Sequence, residues 1–131
     1  MSVEEYYRGE KGSVCVFVTR RGDAPAADFI DALDEHRQKK VIRLLKEFAD
    51  RGEILNKERF RREDESIFAF KSGQVRILCF FLPHAGQRTI VLTHGFKKKQ
   101  QKLSRSELAK AQRICEETTA SQIRKTTDEA D

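Results

Sequence analysis

Residues 66–96 read SIFAFKSGQVRILCFFLPHAGQRTIVLTHGF, and the way this stretch divides decides the fold. It breaks into three apolar or alternating runs, 66–71, 74–82 and 88–96, rich in Phe, Val, Ile and Leu. Runs of that length and composition are strands. Ser72-Gly73 suits a two-residue hairpin turn, and 83–87 forms a longer connection. With that turn Lys71 pairs with Gln74 and Ala69 with Arg76. Alternation then sends Phe68, Phe70, Val75 and Ile77 to one face. Lys71 and Arg76 go to the other, diagonal neighbours roughly 7–8 Å apart.

Working outward, SVCVFVTR (13–20) is a further strand, and RGDAPAADF supplies a turn with Asp23 as N-cap and Pro25 in the first helical turn. From Asp28 to Arg51 the residues Phe29, Ile30, Leu33, Val41, Leu44, Leu45 and Phe48 recur at helical spacing. The polar break DEHRQKK (34–40) divides this span into two helices, with Asp34 capping the second and Gly52 ending it. Residues 53–65 show no period. Beyond the three strands, Ser104 and Glu107 have capping-box spacing, and Leu103 and Leu108 that of a hydrophobic staple. Leu108, Ala111 and Cys115 mark a helical stripe that fades near Thr118.

The expected order is β-α-α-β-β-β-α, an α+β fold with helices on one side of a small antiparallel sheet and Lys71 and Arg76 on its open face. A chain of 131 residues is expected to be one domain, with a core over about 13–120 and flexible ends of about 12 and about 10 residues.

The net charge is +5, and its distribution is uneven. Lys71 to Arg105 holds eight Lys or Arg and no Asp or Glu, which leaves 18 basic and 21 acidic residues elsewhere. A one-sided field of this kind points to a polyanion, nucleic acid first; the alternative is a solvated basic strip. No apolar run approaches the ~20 residues of a membrane span. The charged start MSVEEYYRGEKG has no signal core, so the cytoplasm is the expected location. Cys15, Cys79 and Cys115 are odd in number and widely spaced, as are His36, His84 and His94, so neither disulfides nor a metal site are expected. No cofactor is implied. Nucleotide-binding glycine loops, Ser-His-Asp arrangements and paired catalytic carboxylates do not stand out.

The residues that could carry chemistry are few. Arg76, in mid-strand between Val75 and Ile77, is oddly placed for a charge serving solubility alone, and with Lys71 it could grip a phosphate. His94 ends the last strand, and His84 sits in a loop beside Pro83. Lys97, Lys98, Lys99 and Lys102 precede a helix N-terminus that would add to the positive potential.

The segments FIDAL, ADRG, IFAFK and VRILCFF, followed by TIVLTHGFKKKQQKLSRSELAKA, resemble the RelE/ParE toxin superfamily and are most similar to its HigB-like, phage-related branch. The resemblance covers roughly 13–120. It implies the toxin of a type II toxin–antitoxin pair, a metal-independent endoribonuclease that cleaves messenger RNA on the ribosome. The cognate antitoxin would carry a helix-turn-helix. It further implies that Arg76 holds the scissile phosphate, that Lys71 is a second clamp or the base, and that His94 is the acid. Lys97, Lys98, Lys99, Lys102 and Arg88 would hold RNA. Two departures bear on activity. Many relatives have Glu-Leu-Arg where this chain has Ala69-Phe70-Lys71, which would leave Arg76 without an ion pair, and Cys79 stands where an aromatic is common. The same resemblance admits a ParE-type gyrase inhibitor, or a degenerate protein that retains only partner or RNA binding.

Overall fold

The computed structural model describes residues 2–83, 88–99 and 102–130, the side chains of 122–130 excepted. His84 lies outside these residues. The elements are β1 (Ser2–Arg8), β2 (Gly12–Val18), α1 (Pro25–Asp31), α2 (Glu35–Arg51), β3 (Phe60–Arg62), β4 (Phe68–Ser72), β5 (Val75–Phe81), β6 (Arg88–Lys97) and α3 (Arg105–Ala130). The expected α+β class holds. The strands form one six-stranded sheet in the order β1-β2-β6-β5-β4-β3. It is mixed rather than antiparallel, because β2 runs parallel to β6.

Two strands carried no sequence signal. β1, expected to be a flexible lead-in, pairs with β2 along its length, with an irregularity between Glu5 and Tyr7. As an edge strand it leaves Glu4, Glu5 and Arg8 exposed, so its composition reads as polar. β3 is too short to show a period. It pairs Phe60 with Phe70 and Arg62 with Phe68.

The helix ends follow local chemistry. Asp34 caps α2, its carboxylate accepting from the Arg37 amide at 3.3 Å. Gly52 closes α2 with a left-handed φ of 82°, which glycine adopts without a Cβ penalty. Asp23 does not cap α1. The N-cap is Ala24, and Asp23 instead closes a turn with Thr19. At α3 the capping box does not form as expected. The Ser104 hydroxyl lies 2.8 Å from that of Ser106, and Glu107 turns toward His94.

The helices occupy both faces of the sheet, which corrects the one-sided expectation. α1 and α2 cover a core that includes Val14, Ile30, Leu45, Phe48, Phe70, Ile77, Cys79 and Leu92. α3 covers a second core of Phe17, Ile67, Ala69, Leu78, Phe80, Val91, Ala111 and Ile114. The reason lies in β5, whose run VRILCFF is apolar on alternate residues of both faces, as a strand buried on two sides must be.

Gly95 allows α1 to approach β6, because a Cβ there would collide with Phe29 Cδ1 and Ile77 Cδ1. Gly95→Ala should therefore cost about 1–3 kcal/mol through overpacking. Urea unfolding should show a lower midpoint at unchanged slope, and an unmoved midpoint would refute this packing argument.

A basic cleft as candidate active site

The hairpin between β4 and β5 sets the site. Its pairs are Ser72 with Val75, Lys71 with Arg76, Phe70 with Ile77, and Ala69 with Leu78. The turn is therefore Gly73-Gln74, not Ser72-Gly73. Gly73 takes the first central position with φ 58°, as a primed two-residue hairpin turn requires. Relative to the expected register each residue moves by two along its partner strand. Two is the side-chain period, so the faces are kept. Lys71 now stands directly across from Arg76 and no longer diagonal to it, with Cβ atoms roughly 5 Å apart in such pairs.

Arg76 is held in place from one side. Its Nη1 donates to the carbonyls of Gly73 at 2.6 Å and Val75 at 2.9 Å. Partial burial lowers its pKa and the neighbouring Glu63 carboxylate opposes that shift; the guanidinium remains a cation. A cleft of about 270 Å³ opens beside it, lined by Arg61, Glu63, Lys71, Arg76, Lys98, Lys102 and Leu103. Lys98 is tied to the hairpin by its amide, which donates to the Gln74 carbonyl at 2.7 Å. Five cations thus meet one carboxylate in a small concavity, an arrangement suited to a phosphate.

Four of the eight sequence candidates line this cleft: Arg76, Lys71, Lys98 and Lys102. Lys97 pairs with Val75 and so falls on the opposite face of the sheet. Lys99 is exposed and is not among the lining residues. Arg88 begins β6, nine residues from Lys97 and so about 30 Å away along the strand, with its guanidinium 4.7 Å from the Phe81 ring centre. His94 lies under α3, 4% exposed.

His94 is held neutral. The Thr93 hydroxyl donates to the Leu78 carbonyl at 3.2 Å, and its oxygen lies 3.0 Å from His94 Nδ1, which assigns the ring proton to Nδ1. Nε2 has no hydrogen-bond partner among the described residues, with Glu107 Oε1 3.6 Å away. Burial, assisted by the Lys110 charge, lowers the pKa to about 4. The unfolded chain therefore binds a proton that the native state refuses between about pH 6.5 and about pH 4. Stability from this group is complete above the unfolded value and falls as pH drops through that window, by up to about 3 kcal/mol. Urea midpoints of wild type and His94→Gln, compared across the window, should differ in slope; parallel curves would contradict this assignment.

Arg61 and Glu63 were missed by sequence reasoning. They sit on and just after the three-residue strand β3, in a span without periodicity. The only available signal was the alternation Arg61, Glu63 flanked by Phe60. Of the departures noted in the sequence, Lys71 lines the cleft, whereas Ala69 and Cys79 do not. Ala69 faces Leu78, and Cys79 is fully buried on the α1–α2 side, where desolvation raises its thiol pKa. Among the described residues no cluster of His, Cys, Asp and Glu is arranged to hold a metal ion.

The family model of phage-derived Gp49-like proteins matches residues 28–116, a span that contains every residue lining the cleft. The chain belongs to the Gp49-like family. This is a RelE/ParE-like toxin family, and an antitoxin is the partner that such a family suggests. No curated protein matches the chain. No helix among the described residues of this Gp49-like protein is long and apolar enough to cross a membrane.

Proposed function

We propose that this Gp49-like chain is the toxin of a type II pair of the HigB-like kind, cleaving messenger RNA on the ribosome and neutralised by a helix-turn-helix antitoxin. The observation that carries this reading is the cleft in which Arg76 and Lys71, paired across one hairpin, stand with Lys98, Lys102 and Arg61 around Glu63. A carboxylate can accept a proton directly, whereas an ammonium must first lose one. Glu63 is accordingly the base and Lys71 a clamp. Glu63 takes the proton of a ribose 2′-hydroxyl, and the 2′-oxygen attacks the adjacent phosphorus. Arg76 and Lys71 stabilise the charge that grows on the equatorial oxygens. The bond from phosphorus to the 5′-oxygen breaks, and a Lys98 or Lys102 ammonium protonates that oxygen. The products are a 2′,3′-cyclic phosphate and a 5′-hydroxyl. His94, neutral, covered by α3 and outside the lining of the cleft, does not act as the acid.

Induced expression of wild type and Arg76→Ala, with ribosome-associated messenger ends mapped in parallel, tests the reading. Growth arrest with cuts at A-site positions, both lost in Arg76→Ala, is the expected result. Arrest without cuts would redirect attention to a ParE-type gyrase target. A folded wild type that neither arrests growth nor cuts would leave a binding protein without catalysis.

A further inference from the structure

The basic cleft does not end at the free edge of β3. On the other face of the sheet lies a groove of about 880 Å³ whose lining includes Phe60, Phe68, Arg62 and Arg88. Arg61 and Lys71 line both cavities, so the two adjoin at that edge. Arg62 lies over the Phe68 ring at 5.4 Å and Arg88 over the Phe81 ring at 4.7 Å. These two rings meet edge to face at 5.0 Å. Neither arginine forms an ion pair among the described residues. Glu53 and Glu58, on the loop after α2, are the carboxylates of the groove.

We infer that a single strand of RNA passes through this groove, around the β3 edge, and into the cleft. Its phosphates would be carried in turn by Arg88, Arg62, Arg61 and Lys71. The inference rests on the nuclease reading above and adds the path of the substrate outside the reacting nucleotides. Exposed guanidinium groups held over phenylalanine rings by cation–π attraction can contact both phosphates and bases. A basic groove that tracks a backbone with stacking surfaces is the general design for single strands. The loop carboxylates would repel the strand toward the arginine wall.

The test is binding of the full chain to 2′-O-methyl RNAs, which cannot be cleaved, of about 4 and about 12 nucleotides over a salt series. The double variant Arg62→Gln/Arg88→Gln should weaken binding of the longer RNA and leave the shorter unchanged. Its slope of log affinity against log salt should fall by about 1.4, corresponding to two phosphates. Arg62→Lys/Arg88→Lys, which retains both charges, should keep the wild-type slope, and Arg37→Gln, on the exposed face of α2, should change nothing. Each variant is melted to verify its fold. Unchanged affinity for both lengths, an equal loss for both, or a lysine variant that loses the slope overturns the groove. If Arg76→Ala still abolishes cleavage in that case, the nuclease reading stands without it. If wild type binds neither RNA and Arg76→Ala has no effect on cleavage, both fall.

Discussion

Arg76→Ala should lower messenger cleavage by a purified toxin on ribosomes by about 10²–10³-fold, the usual cost of removing one preorganised donor from a developing oxyanion. The fold should survive. Arg76 is only partly buried, and its recorded side-chain hydrogen bonds go to the two carbonyls of its own turn, Gly73 and Val75. Water can replace those bonds, so the stability change should stay within about 1 kcal/mol. Arg76→Lys keeps the charge and loses the planar fork, and should fall between the two. A melting temperature near wild type combined with lost cleavage is the diagnostic pair. Cleavage retained within a few-fold would remove Arg76 from the active site.

Glu63→Gln should be at least as damaging, about 10²–10⁴-fold, because it removes the proposed proton acceptor and leaves shape and volume intact. The effect should fall on kcat. An alternative role for Glu63 is to offset the charge of Arg76, to which it is electrostatically coupled. Under that role Glu63→Gln would make the cleft more positive and bind RNA more tightly, with kcat largely unchanged. The split between affinity and turnover therefore separates the two roles. Tighter binding at unchanged kcat would return the base to Lys71.

The legible parts of this chain are those encoded over short distances. The apolar spacing of Val41, Leu44, Leu45 and Phe48 marked α2, and Asp34 and Gly52 marked its ends where the structure has them. The alternation in FAFKSGQVRI sorted Phe68, Phe70, Val75 and Ile77 from Lys71 and Arg76 correctly even though the turn was misplaced. An error of one turn position moves partners by two residues, and two residues return each side chain to the same face. β1 and β3 were not legible. An edge strand with one pairing partner need not alternate strongly, and three residues cannot show a period.

The sequence by itself determined the hairpin, its two faces and the basic segment from Lys71 to Arg105, because strand alternation and charge are properties of neighbours along the chain. Only the tertiary structure decided which cations meet. α3 lies across the second face of the sheet because Ala69, Leu78, Phe80 and Val91 leave that face apolar and in need of cover. That packing buries His94, and the pairing of β3 with β4 brings Arg61 and the following Glu63 beside Lys71 and Arg76. These are contacts between residues far apart in the chain. They are settled by which apolar surfaces must be removed from water, and no local pattern records that outcome.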